Sequence, residues 1–384
     1  MTQSLMDRLG FEAPIFAFSH CRDVVVEATR AGGFGVLGSS LYAPEELEQE
    51  LTWIDNHVGD RAYGVDILMT SNYDETVGGL SGPLADSLPA SQLGFVEAWL
   101  DREGVPPMPE GLERERRSAQ AKRERYITRE GVQALVEVVW RHPKVKLLVS
   151  ALGVAPPDVI EKAHARGILV GGVCGAPEHA RRQCAAGADV LVAQGSEAGG
   201  HTGTISTMVL VPQVVEAAAG RAAVLAAGGI GSGQQIAAGL ALGAEGVWCG
   251  SIWLVTRESD LLPFQKDVLL RARSQDTVQS RCMTGKPVRM NRSRYTDAWG
   301  SPDAPPTLGP PMQKVLYEAA RSRIDRASRD DLYSWPVGQV VGLMRDETSV
   351  REVMLRLQTE YLETIDRMAR TLASAEQRLT ARAT

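Results

Sequence analysis

Apolar residues in this chain come in short unbroken runs more often than in alternation with polar ones. Eight runs have the length of strands: 14–18, 34–38, 62–68, 145–150, 168–173, 189–194, 223–228 and 246–250. A strand that is apolar on both faces belongs in a parallel sheet covered on both sides. The segments between the runs carry a helix signature. "APPDVIEKAHARG" (155–167) opens on prolines and closes on glycine, the usual asymmetry of a helix. "APEHARRQCAAGA" (176–188) repeats it, and "GSGQQIAAGLALGA" (231–244) closes on Gly-Ala in the same way. Eight β–α units in series predict an α/β protein with a (β/α)8 TIM barrel. A doubly wound open sheet is the competitor, but it would carry its glycine loop after the first strand, and here such loops come late.

The rhythm breaks twice. Residues 70–130 begin Gly/Ser-rich and become strongly charged in "LERERRSAQAKRERY". They read as a helical insertion after the third strand, either a solvated one or a lid, because insertions in βα loops surround a barrel's mouth. Beyond residue 255 the chain reads as helical, with the Pro-rich "SPDAPPTLGPP" (301–311) and an amphipathic stretch at 350–372 suited to packing or to a homodimer contact. The expected division is a barrel formed by 1–69 and 131–300, an insertion at 70–130, and a helical C-terminal extension at 301–384. The long apolar run 236–255 holds Glu245 and four glycines, and reads as a buried helix followed by a buried strand, not a membrane span.

Composition narrows the partners. The net charge is −6 with no dominant basic block, which argues against nucleic acid. Cys21, Cys174, Cys184, Cys249 and Cys282 are odd in number and form no CxxC pair. That fits a reducing, cytoplasmic setting without a disulfide framework. The N-terminus lacks the apolar core of a secretory signal, and no His/Cys/Asp cluster has metal-ligand spacing.

In such a barrel the chemistry lies at the C-terminal ends of the strands. Those ends supply Phe18, Ser19 and His20; Gly38 and Ser39; Asp66; Ser150 and Ala151; Cys174; Gln194 with the loop to His201; Gly228 and Gly229; and Gly250 and Ser251. Glycines cluster after strands six, seven and eight. Bare backbone lets N–H groups approach an anion that a Cβ would hold off. "AAGGIGSGQQ" also runs into a helix whose N-terminal dipole adds attraction. Such a cradle, without basic residues and without a dinucleotide fingerprint at the start of the chain, fits FMN better than NAD or ATP.

"QGSEAGGHTG", "LAAGGIGSGQQIAAGLALGAEGVWCGS" and "TGKPVR" (284–289) resemble the nitronate monooxygenase (2-nitropropane dioxygenase) family, itself related to FMN-dependent enoyl-ACP reductases. The resemblance spans roughly 10–70 and 140–300. It implies non-covalent FMN, with its phosphate on the amides of Gly199, Gly200, Gly229 and the Gly250–Ser251 turn, near Gly228, and Gln194 near the ribityl chain or ring. Ala17, Phe18, Ser19 and Asp66 complete the expected cofactor wall. Three departures stand out. Ser19–His20 replaces the family's Pro-Met pair, and Asp66 replaces the Asn of its Gly-Val-Asn strand end. "SALG" puts Ala151 or Leu152 where nitronate monooxygenases carry a catalytic histidine.

His20 is therefore the expected replacement base, since its ordinary pKa suits proton transfer near neutrality. His201 is expected beside the cofactor, Ser150 as a substrate-orienting group, and Glu197 as a tie between the glycine loop and a neighbouring strand. Cys174 and Cys249 read as core residues, and His57, His142, His164 and His179 as surface residues. The expected function is FMN-dependent oxidation of a small carbanion such as an alkyl nitronate, with O2 as acceptor. The alternatives are an FMN-dependent reductase or dehydrogenase acting beside a carbonyl, perhaps on a CoA or ACP thioester with NAD(P)H, and a non-catalytic flavin-binding barrel.

Overall fold

All eight expected strands form, and they close into one parallel barrel in the order of the chain. They are β1 (Ile15–Ser19), β2 (Phe34–Gly38), β3 (Tyr63–Ile67), β4 (Val145–Ser150), β5 (Leu169–Cys174), β6 (Val190–Gln194), β7 (Ala223–Ala227) and β8 (Gly246–Cys249). β8 closes on β1 with Ile15 opposite Val247. The computed structural model describes residues 3–39, 42–69, 83–124 and 129–383, so the first part of the expected insertion, 70–82, lies outside the described residues.

Most of the strands are apolar on both sides, and the closed sheet decides which side faces where. Phe16, Phe34, Val36, Leu147, Val149, Val190, Val192, Leu225 and Trp248 fill the interior. The alternate residues turn outward. Tyr63, Val65 and Ile67 pack on α3 (Pro44–His57) and α6 (Arg129–Val139). Ile15 and Ala17 pack on α2 (Arg22–Arg30). The short helix α1 (Leu5–Leu9), capped by Ser4 and ended by left-handed Gly10, carries Leu5 and Leu9 into the interior cluster, with Phe11 close behind. Phe11 meets Phe16 edge-on at 5.1 Å. Burying side chains of this size stabilises by ~1.5–3 kcal/mol each.

The run 236–255 resolves into α10 (Gly233–Ala241) and β8, with Glu245 exposed between them. Among the described residues no helix is long and apolar enough to cross a membrane. The expectation of helix throughout the chain beyond 255 is corrected. Between α11 (Pro263–Arg271) and α12 (Arg294–Trp299) lie two antiparallel strands, β9 (Thr277–Ser280) and β10 (Val288–Asn291). β10 alternates apolar and polar residues over its four positions, β9 carries Val278 alone among polar residues, and β10 also pairs with a two-residue extended segment at Gly200–His201.

Within the insertion, α4 (Ala90–Arg102) is followed by the charged α5 (Glu110–Glu124). Val96, Trp99, Leu100 and Val105 share one apolar cluster with Val288, Tyr295, Trp299, Leu316, Tyr317 and Ile324, from the segment after the barrel. Arg323, buried on α13 (Met312–Arg326), donates to the carbonyls of Val105 at 2.7 Å and Pro106 at 3.1 Å. Helix α14 (Val350–Ala383) seats Val350, Val353, Met354 and Leu357 against the outer wall.

One expected surface histidine is not at the surface. His142 is 5% exposed, and its Nδ1 lies 2.6 Å from Asp55, which also accepts from the Tyr63 hydroxyl. Burial beside a carboxylate on a distant helix makes it a structural tie.

Candidate active site

The glycine loops converge at the C-terminal end of the barrel, but they do different jobs. Gly228 (φ +104°) and Gly229 (φ +70°) are left-handed, a conformation that costs an ordinary L-residue ~1–2 kcal/mol. A Cβ on Gly228 would sit 2.7 Å from Thr207 Oγ1, and one on Gly229 would sit 3.2 Å from Glu197 Cβ. Gly250, at the inward position after Trp248, is open, and a Cβ there would meet only Phe18 at 3.6 Å. Gly200 (φ +83°) has nothing within 4 Å of its Cβ position. Gly199 is bare for another reason: Val337 and Gly338 press against it at 2.8 Å. The 337–339 segment ties two loops together, with Gly338 N–H donating to Ser251 Oγ at 2.8 Å and Gln339 N–H to the Glu197 carbonyl at 2.9 Å.

The N-terminus of α10 is already answered from within. Gly233 N–H donates to the Glu360 carboxylate at 2.8 Å, so the dipole expected to serve a phosphate faces an acid of α14 instead. The remaining backbone still fits a phosphate. Gly228, Gly229, Gly250 and Ser251 bring backbone to one end of the barrel, where Gly250 opens beside Phe18 and a Cβ would take up space, while Glu197 is engaged behind the loop. Glu197 accepts from Thr207 N–H at 2.9 and 3.2 Å and from Thr207 Oγ1 at 2.9 Å, capping α9 (Thr207–Ala218). Glu197→Ala is expected to cost about 1–2 kcal/mol, as loss of a helix cap does, and to lower the thermal unfolding midpoint; Glu197→Gln is expected to restore part of it.

Strand parity sorts the other expected residues. Phe18 points inward and stacks on Trp248 at 5.7 Å. Asp66 and Gln194 occupy inward positions at the same height, and Gln194 Nε2 donates to the His201 carbonyl at 2.7 Å, bracing the loop. Ala17 turns its side chain outward and offers the site only backbone. Ser19 Oγ accepts from Cys21 N–H at 3.1 Å at the start of α2. Ser150 is the correction. It alternates with inward Val149, is fully buried, and donates its hydroxyl to the Met69 carbonyl at 3.2 Å, so it is not placed to orient a substrate.

His20 stands at the mouth after β1. Its Nδ1 lies 2.7 Å from the Gly38 carbonyl, which can only accept, so Nδ1 carries the proton and Nε2 keeps a lone pair. The ring occupies the space a Gly38 Cβ would need, 2.7 Å away. Burial, opposed by the Gly38 hydrogen bond and assisted by the charge of Lys314, lowers its pKa below the ordinary histidine value. His201 Nε2 lies 2.8 Å from Thr284 Oγ1. Burial, with Lys286 and Lys314, pushes His201 down to about 4. The His201 imidazole is therefore neutral at neutral pH, and His20 is shifted in the same direction. Burial raises the Cys174 and Cys249 thiols to about 12, as befits inert core residues.

Sequence reasoning missed Lys314. It lies in the first turn of α13, beside Gln313, which donates to the Cys282 carbonyl at 2.8 Å and so packs this helix against the 282–285 turn that holds His201. Burial lowers the Lys314 pKa, and Glu318, one turn on, opposes that. Among the described residues no hydrogen bond or ion pair within 4 Å reaches its ammonium. The available signal was a lone lysine among apolar neighbours, Val315, Leu316 and Tyr317. The half-buried Lys314 acts on both imidazoles, with Glu318 as the acid that offsets part of its charge. Among the described residues no group of three or more His, Cys, Asp or Glu is placed to hold a metal ion.

The nitronate monooxygenase family model matches residues 106–360. A Mycobacterium tuberculosis protein named "Putative monooxygenase Rv1533" is 46% identical over 376 residues, covering 96% of this chain and 98% of its own. A Staphylococcus aureus protein named "Probable nitronate monooxygenase" is 26% identical over 76% of this chain and 79% of its own. Among solved structures, a nitroalkane oxidase from Streptomyces ansochromogenes matches with a TM-score of 0.76 and 28% identity, covering 95% of this chain and all of that one.

Proposed function

Because the chain belongs to the nitronate monooxygenase family and is an oxidoreductase, we propose that it binds FMN and oxidises the carbanion of a small nitro compound, an alkyl nitronate, with O2 as the final acceptor. FMN, when bound, supplies the electron-accepting chemistry. The backbone of Gly228, Gly229, Gly250 and Ser251 would hold its phosphate, with Phe18, Asp66 and Gln194 along the wall beneath. His20 Nε2 is the group able to take the α-proton of a neutral nitroalkane, while its Nδ1–H stays on Gly38. The Lys314 ammonium would meet the nitro oxygens as negative charge gathers on them.

The observation that carries this reading is a histidine whose Nδ1 is held on the Gly38 carbonyl, leaving Nε2 open, at one mouth with a lysine that no hydrogen bond or ion pair within 4 Å holds among the described residues. A nitroalkane needs one group for its proton and another for its oxygens. The name of the Streptomyces neighbour supports the substrate class.

The test is anaerobic. Purified protein loaded with FMN is mixed with an alkyl nitronate in one arm and with NADH or NADPH in the other. Bleaching of the flavin absorbance by the nitronate, followed by oxygen uptake on re-aeration, is the expected result. Bleaching by the pyridine nucleotides alone would move the protein to the reductase reading, with an enoyl thioester as the next substrate to try. Gly250→Ala probes the cradle separately. Its Cβ is accommodated in the folded chain, yet it faces the phosphate position, so a normal fold with FMN affinity reduced about tenfold or more, ~1.4 kcal/mol, is expected by fluorescence titration.

A further inference from the structure

Asp66 ends β3 at an inward position. Tyr63, Val65 and Ile67 pack outward, so Gly64 and Asp66 turn into the barrel. In register it sits between Gly38 of β2 and Val149 of β4. The Gly38 side is covered by the His20 ring, and Val149 belongs to the apolar interior. Asp66 is 5% exposed. Ser39 gives both its N–H and its hydroxyl to the Asp66 backbone carbonyl at 2.8 Å, not to the carboxyl. Among the described residues no donor and no cation pairs with that carboxyl, and burial alone acts on its ionisation, in the direction that favours the proton.

The titratable groups around it offer no compensation. His20, from the β1–α2 turn, already gives its Nδ1 proton to Gly38, and burial disfavours its charged form. Lys314 acts on His20 but exerts no resolved pull on Asp66. β4 presents Val149 inward, and Ser150 turns away. An isolated buried carboxylate is far costlier than the neutral acid, which asks only for one acceptor. The acid differs from the anion in function too: a carboxylate only accepts, whereas a carboxylic acid also donates.

We propose that Asp66 stands as the neutral carboxylic acid and donates its hydroxyl proton to an acceptor atom of the flavin, so that cofactor binding depends on pH through this one side chain. The inference rests on the FMN reading above, and its test separates the two. The first measurement uses protein without flavin. A carboxyl whose folded pKa is raised contributes stability at low pH that is lost as pH rises through the raised value. Thermal unfolding from pH 6 to about 9 should therefore show wild type losing stability relative to Asp66→Asn, which cannot ionise. Parallel curves would overturn the neutral acid.

The second measurement is FMN affinity by fluorescence titration above roughly pH 7, beyond the phosphate's own second ionisation near 6. Wild type should weaken by up to tenfold per pH unit as Asp66 ionises, while Asp66→Asn stays flat. Asp66→Leu, which fills the space but cannot donate, should bind weakly at every pH. A flat wild-type profile that coincides with that of Asp66→Leu would overturn the donated hydrogen bond. Failure of all forms to bind FMN would remove the cofactor reading and with it the donated hydrogen bond, while the unfolding comparison would still decide the state of the acid.

Discussion

Replacing His20 with asparagine is expected to lower kcat/KM for a neutral nitroalkane by roughly 10²–10⁴-fold while leaving turnover of the preformed nitronate within about tenfold of wild type. Asparagine can still present an amide N–H to the Gly38 carbonyl, so the local hydrogen bond survives and the loss falls on Nε2. A nitronate arrives without its α-proton and does not need that nitrogen. The pH profile should agree. Wild-type activity on the nitroalkane should fall on an acid limb below the ordinary histidine range, since burial lowers the His20 pKa. The variant should lose that limb. Equal losses on both substrates would mean that His20 positions the substrate or the cofactor and does not take the proton.

Lys314→Met is expected to act in opposite directions on binding and on stability. A hydrogen bond to a charged group contributes ~1.5–3 kcal/mol, so KM for the nitronate should rise about 10–100-fold, with a smaller change in kcat. The unliganded protein should become more stable, by about 1–3 kcal/mol, because an ammonium that burial disfavours, and that no hydrogen bond or ion pair within 4 Å holds among the described residues, is replaced by an apolar chain of similar length. Methionine also removes a charge that depresses both imidazoles, so the His201 pKa, about 4 in wild type, should move upward in an NMR titration. A variant that is less stable and binds the nitronate normally would show that Lys314 belongs to the packing of α13.

The barrel was legible because eight apolar runs of strand length recur between helical segments, several of which open on proline or close on glycine. The glycine loops after β6, β7 and β8 were legible as well, since bare backbone at strand ends has few other uses. Which side of each strand faces inward was not legible. In "VKLLVS" both parities are apolar, so only closure of the sheet could show that Val149 lines the interior and Ser150 the outer wall. The same ambiguity placed Ala17 beside Phe18 in the expected wall. β9 and β10 escaped notice because four-residue strands leave too short an alternation to stand out from loop. His142 and Lys314 share another cause. Each takes its meaning from groups distant in the chain, Asp55 for one and the two imidazoles His20 and His201 for the other. Glu360 at the start of α10 shows the reverse error: a helix end that reads as an anion site is filled by the protein's own carboxylate.

The apolar cluster joining α4 to the segment after the barrel also sets an order of events during synthesis. Trp99 and Tyr317 lie in one cluster, yet 218 residues separate them in the chain. At ordinary ribosomal speeds Trp99 is made about 10–40 s before Tyr317. Through most of that interval, until residues 282–299 are made, the apolar face of α4 lacks its partners from beyond the barrel, although every strand from β4 to β8 is complete by residue 249. The nascent chain therefore passes through a stage with a finished barrel and an unfinished roof. Val96, Trp99 and Leu100 are then the surface that a chaperone would shield and that a neighbouring nascent chain could capture.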